Sequence, residues 1–372
     1  MQDVKILLTG ANGFIGKNLL AELKNRGYED ILTFTRESSF ENLALYTKEC
    51  EFVFHLAGVN RTENDDEFVT GNADLTANLL GLLRLNNNRS PVLYCSSIQA
   101  DKENPYGQSK KLAEQHLLSH SEANESKVLI YRLPNLFGKW GKPHYNSVVA
   151  TFCYNIANGY PISITDEMNV LTLNYIDDVI IEFIRALTNI ETRTDDYCIV
   201  PNAHEITLGE LAGKIYAFKQ NRQTLLMPSL KTEFDKALYG TYLSYLDQDR
   251  FSYPLNKRTD ARGWLAEFMK SESMGQLFIS RTKPGITRGN HWHHSKVEKF
   301  LVVKGQASIK FRAVGAHSVI EYKVNGNEPE VVDIPAGYTH SLENIGNDEL
   351  ITLFWASEIF DQERPDTFFM EV

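Results

Sequence analysis

A glycine-rich turn near the N-terminus constrains the fold of this chain more than any other feature. The turn lies between an apolar run, VKILLTG, and an amphipathic pattern that starts at Phe14. Glycines at this spacing permit a tight turn and close backbone approach, and a helix N-terminus offers unpaired N–H groups to a pyrophosphate. The strand, turn and helix therefore predict a dinucleotide-binding unit. The residues predicted to line it are Gly10, Asn12, Gly13, Phe14, Ile15 and Gly16.

The pattern of predicted elements changes along the chain. Up to about residue 200, apolar runs such as ILTFTR and PVLYCSS alternate with helical patterns, which predicts a parallel sheet. From about Met274 onward, short β-rich runs are separated by Gly, Asn and Pro, which predicts an all-β barrel. We therefore predict a Rossmann-type, doubly wound α/β domain over residues 1–243, followed by an all-β jelly-roll barrel over residues 244–372.

Composition argues against several classes of protein. The chain has 38 Lys and Arg against 48 Asp and Glu, a net charge of −10, so nucleic acid is not an expected partner. No apolar run approaches the roughly 18 residues of a membrane helix. The 4 cysteines form no CxxC pair, which is typical of a reducing compartment. The stretch Met1 to Lys5 lacks the layout of a signal peptide, so we expect a cytoplasmic protein.

The end of the second predicted strand bears on the choice of cofactor. An NAD-specific site usually has an acidic residue there, which binds the ribose 2′-hydroxyl. Asp30 lies at the expected distance from the glycine turn, but it precedes ILTFTR and so sits at the wrong end of the strand. The strand ends instead in Thr35 and Arg36. A guanidinium suits a 2′-phosphate, so we predict NADPH; a solvated surface arginine is the alternative.

Tyr106 and Lys110 form the candidate catalytic pair. On a predicted helix they are separated by four positions and share a face, so Lys110 can lie near the Tyr106 phenol and lower its pKa. The phenol could then act as a general acid, and a serine at the end of PVLYCSS, Ser97 in preference to Ser96, could hold the substrate carbonyl. The same YxxxK pattern recurs at residues 253–257 with a proline inside it, so context carries this prediction.

In this order and context, the glycine turn, the serine and the Tyr–Lys pair resemble the extended short-chain dehydrogenases/reductases. The resemblance covers about residues 4–240 and includes the runs FHLAG, RLPNLFG and YIDDV. It implies hydride transfer at a carbon of a nucleotide-linked sugar, with Asn135 near the substrate. We interpret His55 as a structural histidine. The resemblance further implies that the cofactor contacts Leu56, Ala57, Tyr106, Lys110 and Leu133.

His291, His293, Glu298 and His340 form a candidate set of metal ligands. Alternate residues of a strand point to one face, so the first two histidines converge if that face lines a barrel. Imidazole and carboxylate ligands with an open position suit divalent zinc, iron, manganese or nickel, and zinc is the metal that we expect. A barrel without a metal is the alternative.

The spacing of these residues between Gly285 and Gly305, and the run PAGYTHSLEN, resemble the two motifs of the cupin superfamily. The second motif lacks its first glycine. The stretch Arg288 to His291 also resembles an Arg-Gly-x-His stretch of metal-independent 4-keto-sugar 3,5-epimerases, in which the histidine is a base. The sequence leaves open whether His291 is ligand or base. We prefer a ligand, because the other three ligands are present.

A carbonyl reductase and such a barrel share a natural substrate, a sugar with a ketone at carbon 4. The ketone acidifies the neighbouring C–H, and a metal could stabilise the enolate that forms. The combination resembles the bifunctional enzymes of capsular polysaccharide biosynthesis. That resemblance implies 3-epimerisation and NADPH-dependent 4-reduction of a UDP-2-acetamido-2,6-dideoxy-4-hexulose, a UDP-linked 4-keto-6-deoxy amino sugar, on the route to UDP-N-acetyl-L-fucosamine. It also implies a homodimer formed through the cupin.

Other interpretations stay open at this point. The chain could be a simple 4-keto-sugar reductase whose cupin serves only dimerisation, or a reductase fused to a metal-dependent oxygenase. A nucleotide-sugar-binding protein with an inactive reductase is disfavoured, because the serine, tyrosine and lysine are all present. The sequence fixes neither the order of the two steps nor the epimerisation base.

Overall fold

The computed structural model describes residues 4–372, so Met1 to Asp3, the start of the predicted first domain, lie outside the described residues. The chain divides into two compact units, Met1–Tyr216 with Leu230–Asp247, and Ala217–Ser229 with Gln248–Val372. The predicted boundary near residue 244 stays a prediction. The second unit also includes a stretch from inside the predicted first domain.

The first unit is built of short strands that alternate with helices. The strands are β1 Ile6–Thr9, β2 Ile31–Phe34, β3 Phe52–His55, β4 Val92–Ser97, β5 Val128–Leu133, β6 Asn135–Phe137, β7 Val170–Tyr175, β8 Arg193–Thr194, β9 Tyr197–Cys198 and β10 Ala203–Thr207. The helices are α1 Phe14–Asn25, α2 Phe40–Glu49, α3 Asp66–Phe68, α4 Leu75–Leu85, α5 Pro105–Asn124, α6 Val148–Asn158, α7 Ile176–Leu187, α8 Leu208–Thr224 and α9 Glu233–Leu243. A π-helical turn, Val69–Asp74, joins α3 to α4, and a short 3-10 helix spans Ile98–Asp101. The last part of α8 and a second 3-10 helix, Gln248–Arg250, belong to the second unit.

The main sheet has the strand order β2-β1-β3-β4-β5-β9-β8, and β10-β7-β6 form a smaller sheet. The strands β2, β1, β3, β4, β5 and β9 run parallel to one another, as predicted from the alternating pattern, and β8 pairs antiparallel with β9 at the edge. Side chains on both faces of β1 are fully buried: Ile6 and Leu8 pack in one apolar cluster, and Leu7 packs in another. A parallel sheet covered on both faces is the Rossmann arrangement.

The second unit has two antiparallel sheets, with strand orders β11-β12-β13-β20-β15-β18 and β17-β16-β19-β14-β21. Phe300 and Val302 from one sheet and Ile309 and Leu342 from the other meet in a single buried core. The structure thus confirms the predicted fold class, a Rossmann-like α/β sheet followed by an all-β unit. The strands are β11 Lys257–Asp260, β12 Gly263–Ser271, β13 Gly275–Thr282, β14 Thr287–Trp292, β15 Glu298–Lys304, β16 Gln306–Ala313, β17 Val319–Asn325, β18 Val331–Ile334, β19 Tyr338–Asn344, β20 Leu350–Ala356 and β21 Phe368–Phe369.

Two other predictions concern single features of the chain. All four cysteines are buried and unpaired. Among residues 4–372, no helix combines the length and the apolar character needed to span a membrane.

Candidate functional site

The glycine turn connects β1 to α1 with no room for side chains. A Cβ on Gly10, whose φ is +72°, would lie 2.7 Å from the Ala57 nitrogen, and one on Gly16 would lie 2.2 Å from the Gly10 carbonyl oxygen. Helix α1 begins after Gly13 without a side-chain cap, so its first N–H groups stay available to an anion. Of the other predicted contacts, Asn12 is exposed, whereas Phe14 and Ile15 are partly buried.

Arg36 and Asp30 lie at opposite ends of β2. Arg36 is exposed just beyond the strand's carboxyl end, the same edge at which the Gly10 N–H donates to the Phe34 carbonyl at 2.8 Å. Asp30 precedes the strand and pairs with Lys5 at 3.6 Å. Ligands of doubly wound sheets bind at the carboxyl ends of the strands. The arginine is therefore placed where the cofactor prediction requires it, and its role stays a prediction.

Tyr106 stands in the first turn of α5, beside the end of β4. The helix starts at Pro105, and the Asn104 side chain caps it by accepting the Gly107 N–H at 2.8 Å. The Ser97 hydroxyl accepts the Gln99 N–H at 3.1 Å and lies near the Tyr106 phenol, where it acts to lower the pKa of the phenol. The Ser96 hydroxyl instead donates to the Glu114 carboxylate. The geometry thus favours Ser97 as the serine that faces a reacting carbonyl.

Lys110 is buried below this pair. Its Nζ donates to the Cys95 carbonyl at 2.9 Å and lies 6.0 Å from the centre of the Tyr106 ring. Burial lowers the pKa of Lys110 to about 8. Burial raises the pKa of Tyr106 to about 12, against the effect of the Ser97 hydroxyl. The expected lowering of the Tyr106 pKa by Lys110 is therefore absent, because the ammonium is bound to a carbonyl and burial dominates. The phenol stays protonated at neutral pH, as a proton donor must.

His55 has the environment of a structural residue. Its Nδ1 lies 2.8 Å from the Thr9 hydroxyl and its Nε2 lies 2.9 Å from the Thr76 hydroxyl. Burial and the nearby charge of Lys110 lower the pKa of His55 to about 3, so the ring is neutral. The Thr9 hydroxyl also accepts the Ala57 N–H at 3.1 Å, which holds the predicted cofactor contacts Leu56 and Ala57 beside the glycine turn.

A buried ion pair that the sequence analysis missed supports the same site. Arg132 donates to both carboxylate oxygens of Glu114, at 3.0 and 2.6 Å. This two-pronged ion pair joins α5 to the end of β5. Two predicted contacts follow there: Leu133 is buried beside Ser97, and Asn135, the first residue of β6, is exposed to solvent. The arginine is part of the run RLPNLFG, but nothing in the sequence indicates its partner.

The four predicted metal ligands converge in the second unit. His291 lies in β14, His293 follows that strand, Glu298 begins β15 and His340 lies in β19. One ligand atom from each lies within 4.8 Å of those of the others. A bulge at Asn290, whose φ is +56°, brings His291 directly opposite His340.

The spacing of these atoms fits a divalent metal. The Nε2 atoms of His293 and His340 lie 3.4 and 3.3 Å from one oxygen of Glu298. Two ligands of a tetrahedral zinc with bonds of about 2.0–2.2 Å lie about 3.3–3.6 Å apart. These contacts do not satisfy the rings: both buried nitrogens of His340 and the Nε2 of His293 have no hydrogen-bond partner among residues 4–372. Such orphaned atoms are rare in proteins unless an ion or water completes them.

The protonation states also suit metal ligands. Burial lowers the pKa of His291 to about 4, which leaves a neutral imidazole. Burial would raise the pKa of Glu298, but the contacts from His293 and His340 lower it overall and keep the carboxylate ionised. Arg288, from the stretch that suggested His291 as a base, donates to the Thr282 hydroxyl at 2.8 Å. A base would also need a neutral ring, so the assignment of His291 as a ligand stays a prediction.

The C-terminal segment supports one ligand in a way that the sequence motifs did not indicate. The Asp366 carbonyl accepts a hydrogen bond from His293 Nδ1 at 2.6 Å, which fixes the tautomer and leaves Nε2 for a metal. The Asp366 carboxylate accepts three backbone N–H groups. Burial would raise the pKa of Asp366, but these hydrogen bonds lower it. The donors are His294, Ser295 and Lys296, at 2.8, 3.0 and 2.9 Å.

A cavity of about 210 Å³ adjoins His291, His293 and Glu298. It is large enough to admit part of a small ligand next to the four converging side chains. Its other walls are both polar and aromatic, and they include Arg258, Glu267, Gln276, Phe278, Lys296 and Phe360.

Both units match known families. Residues 6–199 match the NAD dependent epimerase/dehydratase family, and residues 258–368 match the polysaccharide biosynthesis C-terminal domain. A relative from Pseudomonas aeruginosa, 44% identical over 98% of each chain, is the UDP-2-acetamido-2,6-beta-L-arabino-hexul-4-ose reductase. The solved capsular polysaccharide assembling protein CapF of Staphylococcus aureus is 48% identical, with a TM-score of 0.94 over 99% of this chain and 100% of that one. A second CapF structure, with the inhibitor 3-isopropenyl-tropolone, is 43% identical with a TM-score of 0.90 over 99% of both chains.

Proposed function

Because the chain belongs to the family of CapF-like capsular polysaccharide biosynthesis proteins, we propose that it reduces the 4-keto group of a UDP-linked amino sugar. The observation that carries this proposal is the placement of Ser97 at the end of β4 and Tyr106 in the first turn of α5, with Lys110 buried and its Nζ 6.0 Å from the centre of the Tyr106 ring. The name of the Pseudomonas aeruginosa relative supports a UDP-2-acetamido-2,6-dideoxy-hexul-4-ose as the substrate.

The three side chains divide the work of carbonyl reduction. NADPH, when bound, supplies the hydride. The Ser97 hydroxyl holds the ketone oxygen, and the Tyr106 phenol gives its proton to the alkoxide oxygen as the C–H bond forms. Lys110, still largely protonated at neutral pH with a pKa of about 8 and held by the Cys95 carbonyl, would bind the ribose of the cofactor beside the pair.

We also propose that the second unit inverts carbon 3 of the same sugar before reduction. His291, His293, Glu298 and His340 would hold a divalent metal, for which zinc fits the spacing. A metal held there supplies Lewis-acid stabilisation of the enolate. Inversion has to come first, because reduction removes the ketone that acidifies the carbon-3 proton.

Four further properties belong to this proposal. Arg36 supports a preference for NADPH over NADH, because it lies at the ligand-binding edge of the sheet. The family resemblance supports a homodimer formed through the second unit and a cytoplasmic location. The change in the sequence from strands that alternate with helices to short β-rich runs supports a domain boundary near residue 244.

NMR of the full-length protein with a panel of UDP-linked 4-keto sugars in D₂O tests both activities. Without NADPH, we expect deuterium at carbon 3; with NADPH, we expect a 4-hydroxyl product with inverted carbon 3. Reduction without any exchange would leave a simple reductase whose cupin serves dimerisation. Exchange without NADPH oxidation would remove the reductase assignment. A requirement for O₂ would favour an oxygenase.

A further inference from the structure

The cavity beside the metal cluster, which is the set of predicted metal ligands His291, His293, Glu298 and His340, is also lined by a polar side chain that lacks a hydrogen-bond partner. Gln276 is 4% exposed and lines the same cavity as His291, His293 and Glu298. Its Oε1 has no hydrogen-bond partner among residues 4–372. A buried amide oxygen without a partner destabilises a protein, so such atoms are uncommon and require an explanation.

The strand register keeps space open in front of this amide. Gln276 in β13 pairs with Ala356 in β20, and Ala356 pairs with Glu298 in β15. The three side chains therefore form one row on the same face of the sheet. With strands about 4.8 Å apart, the backbones of the outer two residues lie about 10 Å from each other, and only a methyl group stands between them. The next row, Phe278 opposite Phe354, supplies an aromatic boundary.

The other polar side chains of the cavity outside the metal cluster are bound within the protein. Arg258 donates to the Glu267 carboxylate at 3.1 Å. Lys296 donates to the Thr367 hydroxyl at 2.9 Å. Outside the four predicted metal ligands, Gln276 is thus the residue of the described cavity wall with a buried side-chain atom that has no partner.

We propose that Gln276 binds the 2-acetamido group of the sugar and determines the preference for it over a 2-hydroxyl; this rests on the proposed function. An amide is complementary to another amide: Oε1 accepts the acetamido N–H, and Nε2 donates to the acetamido carbonyl. Carbon 2 adjoins carbon 3, the proposed site of inversion next to the metal ligands. A residue that lines the same cavity, in the same row as Glu298, is therefore within reach of the carbon-2 substituent. A hydroxyl in its place leaves part of the buried amide unpaired, which is how polar sites reject an analogue.

The test compares Gln276→Met, which keeps length and removes hydrogen bonding, with Gln306→Met on the exposed start of β16. Carbon-3 exchange in D₂O is measured for a UDP-2-acetamido-4-keto sugar and for its 2-hydroxyl analogue. We expect Gln276→Met to lower kcat/KM for the acetamido sugar about ten- to a hundredfold, mainly through KM. For the 2-hydroxyl sugar, kcat/KM should change less than about threefold. The control variant should have the wild-type kcat/KM for both sugars. Equal losses for the two sugars, or no loss, would overturn the proposal.

A second measurement separates this proposal from the epimerase assignment. In Mn²⁺-loaded protein, the acetyl methyl protons of the acetamido sugar should relax faster when they lie near the cluster. Gln276→Met should raise the sugar concentration needed for this effect about tenfold or more, with unchanged manganese content. If the wild type exchanges neither sugar, the epimerase assignment fails, and the relaxation data alone decide on Gln276. Identical relaxation in the wild type and the variant would contradict the proposal.

Discussion

The two candidate sites obtain their geometry in different ways. In the first unit, Ser97, Tyr106 and Lys110 lie close together in the sequence, and one strand end and one helix start position all three. In the second unit, the ligands come from three strands and their immediate surroundings, and the support for His293 comes from Asp366 near the chain's end. A local motif can thus contain a complete catalytic arrangement, whereas a metal site distributed over a sheet depends on contacts that its motif does not include.

The electrostatics of the two sites differ as well. Burial sets the pKa of Tyr106 to about 12 and that of Lys110 to about 8, so the reductase site has its proton donor in place. The buried ring nitrogens of His340 have no partner among residues 4–372. Under the proposed function, the first site would donate a proton from a group that it already holds, whereas the second would bind an ion that completes its histidines. Variants that affect one site and spare the other test this separation.

Removal of the Tyr106 hydroxyl should have the largest effect and should be confined to the first site. Tyr106→Phe should slow NADPH-dependent reduction by about 10²- to 10⁴-fold, because a positioned general acid contributes that much. Carbon-3 exchange and NADPH binding should stay within about twofold, since neither uses that proton. Rapid-mixing absorbance at 340 nm gives the rate of reduction, NMR gives the rate of exchange, and cofactor fluorescence gives the affinity for NADPH. Near-normal reduction would assign the proton to another group.

Removal of a metal ligand should produce the converse result. His340→Ala should abolish stoichiometric zinc binding and lower the rate of carbon-3 exchange by more than about a hundredfold, because the enolate loses several kcal/mol of stabilisation. Reduction of a sugar that already has the inverted carbon 3 should continue. The exposed His294→Ala is the matched control. Zinc content by atomic emission, together with both assays, checks this; full exchange in a zinc-free variant would contradict the metal-centred proposal.

The sequence allowed the fold class and the convergence of the four metal ligands to be predicted, because both follow from local periodicity and spacing. Alternating apolar runs indicated the parallel sheet, and the glycine turn indicated where its helix begins. Tyr106 and Lys110 do share a helix, as their spacing indicated. The direction of the Tyr106 pKa shift was wrong, because burial depends on what packs around a side chain and spacing does not report it.

Contacts between distant parts of the chain could not be predicted. Glu114 pairs with Arg132 across two elements, and neither residue has a pattern that names the other. Asp366 lies far beyond the cupin motifs. The backbone groups of Leu225 and Met227 form hydrogen bonds with the backbone of Lys270 in β12. The second unit therefore includes Ala217–Ser229, which the helical pattern of the sequence had assigned to the first domain. A fragment that starts at residue 244 would lose this contact, and for that reason the experiments above use the full-length protein.

Support of the metal site by the C-terminal segment predicts an intermediate effect. Asp366→Ala keeps the backbone carbonyl that accepts from His293 but removes the carboxylate that holds this carbonyl in place. It should therefore weaken zinc binding about 10- to 100-fold, the usual effect of disturbing an outer partner of a ligating histidine. Asp366→Asn should recover part of the affinity, because asparagine tolerates the left-handed φ of +35° and still accepts backbone N–H groups. Asp361→Ala, exposed in the same segment, is the control. Competition with a chromophoric chelator measures the affinities; equal affinity in the wild type and Asp366→Ala would assign the segment a purely structural role.

Loss of Arg36 should have the smallest effect, and it should be restricted to cofactor choice in the first unit. A charge-assisted contact with a phosphate contributes about 1.5–3 kcal/mol, but Arg36 is exposed and salt screens it, so we expect the lower end of that range. Arg36→Ala should therefore lower kcat/KM for NADPH about tenfold and leave the value for NADH unchanged. The difference should shrink as ionic strength rises, and Arg26→Ala, exposed at the end of α1, should leave both values unaltered. Steady-state kinetics with the two cofactors, at low and high salt, measure this preference. Neither carbon-3 exchange nor zinc content should change in Arg36→Ala or Arg26→Ala. A wild type that uses NADH and NADPH equally would show that Arg36 is a solvated surface residue.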